Sequence, residues 1–270
     1  MINLHPLKVF SLPIIADCIN PDVFQNKNVS EIGKLEVWEG NKKKTLGELF
    51  KIEETASDMP TITIHGDVSK VRRIGACMTK GEIVINGNAG MHLGEEMKGG
   101  RILVYGNVAS WAGAMMKGGE IEIHGDAEDY LASPYRGSTV GMSGGKIVVY
   151  GNVGSEIGNY MKKGLIKVYG NAKQFIGLRM RDGTIYVQNS CVGRAGACMT
   201  GGRIIIGGFL ETILPTFSIE GIRGKVKVEE DETVQGPLYV FTGDLADNGN
   251  GKLYVHKDKN PHLRYFEKYL

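Results

Sequence analysis

Four cysteines in 270 residues, Cys18, Cys77, Cys191 and Cys198, include no CxxC pair. A disulfide framework is excluded for so few thiols in a chain this size, and no iron–sulfur cluster is expected within it. Charge is balanced as well: 32 Lys and Arg stand against 30 Asp and Glu. Lys42-Lys43-Lys44 is the one basic tract, beside the turn-like Glu39-Gly40-Asn41, so no nucleic-acid partner is expected. No apolar run approaches membrane-spanning length, and the N-terminus lacks the basic-then-apolar pattern of a signal peptide. The expected location is the cytoplasm, with no membrane partner. Nucleotide loops of the GxxxxGK[ST] or GxGxxG kind are absent, as are a GxSxG elbow and a calcium-binding nonapeptide repeat. The histidines do not converge either. His65 and His124 share one repeat position three periods apart, about 14 Å at strand spacing, too far for one metal.

What the sequence does contain is a ladder of methionines: Met78, Met97, Met116, Met142, Met161, Met180 and Met199. They are spaced by 19 residues, with one step of 26, and each is followed three residues later by glycine, from Gly81 to Gly202. A fixed period of this length marks a stacked repeat. Each period opens with two β-branched aliphatics two residues apart, such as Ile83/Ile85, Ile102/Val104, Ile121/Ile123, Ile147/Val149 and Ile166/Val168. That spacing places both on one face of a strand. The residue between them varies (Val84, Leu103, Glu122, Val148, Lys167, Tyr186, Ile205); a column that accepts Glu and Lys faces outward. A Gly-Asn or Gly-Asp turn follows, then a small apolar residue directed inward.

One strand per 19 residues cannot build hairpins. Identical strands that return each period predict a parallel stack, and parallel crossovers are right-handed in most proteins. The expected fold is all-β: a single-stranded right-handed parallel β-helix of about seven to eight coils, with irregular terminal caps. The expected domains are an N-terminal arm with a hairpin (1–59), the helix (60–221), and irregular strands with a tail (222–270). Glycines and methionines of the repeat are read as structural: Gly87, Gly90, Gly94, Gly106, Gly113, Gly151, Gly154, Gly158, Gly170 and Gly177, with Met97, Met116, Met142, Met161, Met180 and Met199. No catalytic, cofactor-binding or metal-binding residue is expected in the chain.

Two features exceed a purely structural role. Seven extra residues precede Met142, near Tyr130, Tyr135 and Arg136; insertions in repeats map to one face, often the binding face, and Tyr and Arg are enriched at interface hot spots. The second is the outward apolar column Val84, Leu103, Val148, Tyr186 and Ile205, which needs a cover, either the chain's own ends or another subunit.

Gly87-Asn88-Ala89-Gly90-Met91-His92-Leu93-Gly94 and Gly151-Asn152-Val153-Gly154-Ser155-Glu156-Ile157-Gly158 both read GxxGxxxG. Gly106 to Gly113 and Gly170 to Gly177 keep only the outer glycines, and Asn189 to Gly196 shifts its glycine to Gly193. The motif resembles the C-terminal β-helix domain of glutamate synthase large subunits. The separate domain and N-terminal arm make the chain resemble still more closely the C subunit of the molybdenum- or tungsten-dependent formylmethanofuran dehydrogenase of methanogenic archaea. That resemblance implies a scaffold subunit of an oxidoreductase complex that reduces CO2 with ferredoxin electrons and forms formylmethanofuran, opening methanogenesis. It implies partners: a molybdopterin subunit, an amidohydrolase-like subunit, a small pterin-associated subunit and a polyferredoxin. The molybdenum or tungsten pterin, the iron–sulfur clusters and a hydrolase-type metal site would lie in those partners. The alternative is a detached glutamate synthase domain serving as a rigid spacer.

Burying each core Ile or Val is worth about 1.5–3 kcal/mol. Ile147→Asp is therefore expected to abolish soluble expression, and Glu122→Lys to leave the melting temperature almost unchanged. Equal effects of the two would overturn the inward and outward assignment.

Overall fold

The fold is described from a computed structural model covering residues 1–56 and 59–270. The N-terminal arm contains β1 (Ile2–Pro6), β2 (Ile14–Ile15), α1 (Pro21–Phe24), α2 (Val29–Gly33), β3 (Glu36–Glu39), β4 (Lys42–Thr45), α3 (Leu46–Leu49) and β5 (Phe50–Glu54). The repeats supply β6 (Thr61–His65), β7 (Val71–Arg72), β8 (Glu82–Asn86), β9 (Arg101–Val104), β10 (Glu120–Ile123), β11 (Lys146–Val149) and β12 (Leu165–Val168). They continue with β13 (Ala172–Gln174), β14 (Thr184–Val187), β15 (Cys191–Gly193) and β16 (Arg203–Ile206). Then come β17 (Ser218–Glu229), β18 (Glu232–Gly243), β19 (Gly251–His256) and a closing 3-10 segment, Pro261–Tyr269. No helix among the described residues is long and apolar enough to cross a membrane.

The expectation of an all-β, single-stranded right-handed parallel β-helix is corrected here. The main element is a mixed sheet of 13 strands in the order β5, β1, β6, β8, β9, β10, β11, β12, β14, β16, β19, β18, β17. Antiparallel pairs stand at both of its ends: β1 with β5, and β18 with both β19 and β17. A four-stranded sheet (β4, β3, β2, β7), a two-stranded sheet (β13, β15) and three short α-helices accompany it. The physical reason is the edge. A parallel stack ends in an unpaired row of N–H and C=O groups, and here residues outside the repeat fill both rows.

Within the sheet the repeats superpose in register. Ile102 lies opposite Ile83 and Ile121, and Ile147 opposite Ile121 and Ile166. All of these, with the seven ladder methionines, are fully buried. Each tier's methionine packs against the next tier's glycine: a Cβ on Gly100 would stand 2.5 Å from the Met78 Cε, and one on Gly119 2.7 Å from the Met97 Cε. The main chain repeats the same step. Lys98 N–H donates to the Met78 carbonyl (2.8 Å) and Lys117 N–H to that of Met97 (2.7 Å).

Both ends imitate this step with remote chain. β1 lies parallel to β6, pairing Ile2 with Ile62 and Leu4 with Ile64. At the other end β19 lies parallel to β16, and Asp244 N–H donates to the Met199 carbonyl. Gly251 takes the glycine place against Met199, and Leu253 and Val255 extend the buried aliphatic columns. The hairpin β17–β18 then folds over the outer face, where Val226, Val228 and Leu238 bury Tyr186 and Ile205. Lys167 beneath it meets Glu229 (2.6 Å) and Glu232. Burial opposes its charge, yet the two carboxylates hold its pKa above the ordinary lysine range. Glu122 faces outward on the uncovered half and accepts from Arg101 (2.6 Å) and His124 (3.1 Å). Exposed pairs of this kind contribute about 0–1 kcal/mol.

The GxxGxxxG glycines serve close approach. Gly113 has φ +63°, and a Cβ there would stand 2.5 Å from the Ile147 Cδ1. Gly113→Ala combines left-handed strain with overpacking, and denaturant unfolding should register a loss of about 2–4 kcal/mol. Gly221→Ala, with nothing within 4 Å, should change stability by no more than about 0.5 kcal/mol. Comparable losses would remove the packing explanation.

Candidate functional site: the inserted loop and its aromatic stack

Five residues before each ladder methionine, and twelve before Met142 because of its seven extra residues, the backbone turns left-handed without glycine. His92 (φ 63°), Trp111 (63°), Tyr130 (66°), Glu156 (59°), Phe175 (62°) and Arg194 (53°) follow Arg73 (67°) in this column. Each conformation is held by the neighbouring tier: His92 N–H donates to the Ser110 carbonyl, Trp111 N–H to Asp129 and Tyr130 N–H to Ser155. Because the corners superpose, their side chains stack. His92 and Trp111 have ring centroids 5.5 Å apart, and Trp111 and Tyr130 4.5 Å apart at 12°. Offset rings at such distances attract one another beyond their area burial.

Matching Trp111 to Tyr130 and Met116 to Met142 places the seven extra residues at Pro134 to Val140. Ser133 anchors the start of this loop, its Oγ accepting from Asn159 N–H at 3.2 Å. The loop then turns back across the stack. The Tyr135 ring sits 5.4 Å from that of His92, and its hydroxyl lies 3.4 Å from His92 Nδ1. Below them Glu95 is buried in a column where neighbouring tiers carry Ala76 and Ala114. Arg73 Nη1 reaches Glu95 at 2.7 Å while its Nε holds Asp17 at 2.9 Å. Burial and the nearby Glu95 push the Tyr135 phenol upward, so it stays a neutral donor. The group Arg73–Glu95–His92–Tyr135 thus ties the loop to the stack.

On its other side the loop walls a cleft of about 410 Å³ lined by Trp111, Tyr130, Arg136, Glu156, Tyr160 and Arg179 among others. Of the sequence-flagged residues, Tyr130, Tyr135 and Arg136 are brought together here. Val84 and Leu103 stand half-buried on the outer sheet face, and Val148, Tyr186 and Ile205 are buried. His92, Trp111, Glu95 and Arg179 were not singled out by sequence reasoning. The 19-residue recurrence of His92, Trp111 and Tyr130 was the signal that could have found the stack.

Elsewhere the repeats make two further ladders. Asn107 N–H donates to Asn88 Oδ1 (2.9 Å), Asp126 N–H to Asn107 Oδ1 (2.8 Å) and Asn171 N–H to Asn152 Oδ1 (2.9 Å). This corner borders a groove of about 600 Å³. Tyr105, His124, Tyr150 and Tyr169 stack at centroid distances of 4.8–5.2 Å. His65 stacks on His5 at 4.5 Å, and all four cysteines are free. One group among the described residues has metal-ligand types in reach of one another, Cys198, Asp244 and Asp247. Both Asp244 oxygens already accept main-chain N–H groups, from Cys198 (2.9 Å) and Ala246 (3.2 Å).

Fold and loop together define a repeat-stacked protein whose seven-residue departure from period builds a surface cleft. No protein-family model matches the chain. It is 48% identical over 259 residues to the C subunit of the tungsten-containing formylmethanofuran dehydrogenase 2 of Methanococcus maripaludis, covering 94% of this chain and 95% of that protein. A stretch of 91 residues, 34% of this chain, is 47% identical to the C subunit of the molybdenum-containing formylmethanofuran dehydrogenase 1 of Methanothermobacter marburgensis. That stretch spans only 23% of the length of this second relative. The fold is also similar to a chain in the crystal structure of the formyltransferase/hydrolase complex from Methylorubrum extorquens in complex with methylofuran. The TM-score is 0.84 and the identity 29%, over 94% of this chain and 99% of that one. The chain belongs to the family of formylmethanofuran dehydrogenase C subunits.

Burial, with Arg73 and Arg72 nearby, holds the His92 imidazole below its ordinary value against the pull of Glu95. The unfolded chain then binds the proton more readily, so this contribution to stability is whole above about pH 6.5 and falls as pH drops toward the folded value. His92→Phe keeps a ring on Trp111 and removes the titration. Urea unfolding between about pH 8 and 5 should decline less steeply in the variant; parallel slopes would exclude His92 from the acid response.

Proposed function

We propose that this chain is the C subunit of a formylmethanofuran dehydrogenase, an oxidoreductase complex, and serves it as a scaffold. The observation that carries this reading is the likeness to the C subunit of the tungsten-containing enzyme of Methanococcus maripaludis along nearly the whole of both chains. The complex would reduce CO2 with ferredoxin electrons and form formylmethanofuran. Its molybdenum or tungsten pterin, iron–sulfur clusters and hydrolase-type metal would reside in the molybdopterin, amidohydrolase-like, small pterin-associated and polyferredoxin partners. The setting is the cytoplasm.

A scaffold role is supported by how the interior is used. The buried columns of the repeats are mostly aliphatic and methionine side chains, with aromatic residues at both ends, and the titratable group at the loop is spent on holding the loop in place. The surfaces offered to partners are the loop residues Tyr130, Tyr135 and Arg136, and the uncovered sheet face at Val84 and Leu103. Val148, Tyr186 and Ile205 belong to the half of that face lying under or beside the chain's own hairpin. The detached glutamate synthase domain is the weaker reading, because the relatives that match are dehydrogenase C subunits.

A second reading, a C-type subunit in a formyltransferase/hydrolase complex, is favoured by the Methylorubrum extorquens structure, although its identity of 29% is well below 48%. Affinity purification of the tagged chain from its native cells separates the two. Co-purifying pterin-bound molybdenum or tungsten with a polyferredoxin supports the dehydrogenase. A metal-pterin-free complex supports the second reading, and a monomeric chain overturns both.

A further inference from the structure

We propose that the cleft between the inserted loop and Arg179 receives the carboxylate of an acidic segment from a partner subunit. The idea rests on the assembly role above and gives it a place and a chemistry. Charge comes first. Arg136 and Arg179 line the cleft, with Glu156 as the carboxylate in its wall, and Arg181 lies beside the same Tyr160 ring as Arg179. In earlier tiers Arg73 is bound by Asp17 and Glu95, and Arg101 by Glu82 and Glu122. Arg136, Arg179 and Arg181 make no salt bridge among the described residues.

Presentation comes second. The Arg179 guanidinium carbon stands 5.4 Å from the Tyr160 ring centre and that of Arg181 6.0 Å, and Arg136 lines the same cleft as Tyr130. Guanidiniums backed by rings keep their N–H edges for planar, bidentate acceptors. A third observation fits a polar occupant. Trp111 Nε1 and Asn159 Oδ1 are buried without a hydrogen-bond partner, both residues line this cleft, and an unmade bond at a buried group is costly. A peptide chain brings both acceptors and donors, which an apolar helix face does not. Glu156 in the wall and the near-neutral chain (net +2) favour a carboxylate over a polyphosphate backbone.

The test uses the assembled complex. Arg179→Lys and Arg136→Lys, made singly, place a primary amine where the carboxylate would sit, and a water-soluble carbodiimide joins amine to carboxylate without a spacer. The expected result is a cross-link from residue 179 or 136 to an Asp, Glu or C-terminal carboxylate of another subunit, identified by peptide mass spectrometry. In the double variant R136E/R179E, complex affinity should fall about tenfold or more, with the melting temperature of the isolated chain unchanged because both residues are exposed. An intact complex that yields no such link, or a link only to Glu156, overturns this inference and leaves the assembly role standing. Retention of the free chain on nucleic acid with loss in R136E/R179E would also overturn it. Failure of the wild-type chain to co-purify with any subunit removes both readings.

Discussion

The vertical step between one tier's methionine and the next tier's glycine is the constraint on which the rest depends. A side chain at Gly100 or Gly119 would occupy the space of the Met78 or Met97 methyl group. The unbranched thioether can follow that space as a branched aliphatic cannot. Once this step is set, strands fall into register at the spacing of backbone hydrogen bonds, and the Ile columns close the interior. The corners then have no freedom. His92, Trp111 and Tyr130 take left-handed backbone conformations because their N–H groups must reach carbonyls one tier along. Their aromatic stacking is a consequence of that superposition.

A stack of identical steps has no internal reason to end. Both ends here are finished by chain remote in sequence that copies the step and then reverses direction. β1 and β19 enter parallel, and β5 and β18 close antiparallel. Reversal matters because an antiparallel strand breaks the parallel step that a further copy of the repeat would continue. The hairpin β17–β18 serves a second purpose, since its apolar residues cover the outward side chains Tyr186 and Ile205. A mixed sheet is therefore the physical outcome of a parallel repeat that must remain a discrete particle.

Legibility in the sequence followed the period. Strand positions, inward Ile and Met columns and Asn turns recur at 19 residues, so each copy reinforces the others, and the seven extra residues before Met142 stand out against that count. β19 did not, because about 45 residues of turn and hairpin separate it from β16 and its Leu253 and Val255 fall off the count. Overall sheet direction was misread for the same reason, as antiparallel closure is written in segments without a period. At the candidate site Tyr135 and Arg136 were legible as an insertion, with Tyr130 beside it. Their supports were not: Glu95 looks like any surface carboxylate until the fold buries it beside Arg73, and Arg179 faces the loop only through superposition of tiers.

Rigidity decides what such a surface can do. The start of the loop is held by Tyr135 against His92 and by Ser133 to Asn159, so this part of the surface would select partners by fit and charge. Ordering costs were met during folding, which leaves more of any contact energy for binding. The two arginines of the cleft stand on separate tiers, Arg136 at the inserted one and Arg179 two ladder methionines further on, and a stiff stack fixes their separation. A site of that kind reads spacing as well as charge. A frame that holds binding groups at fixed distances along one axis suits a subunit whose task is to place others.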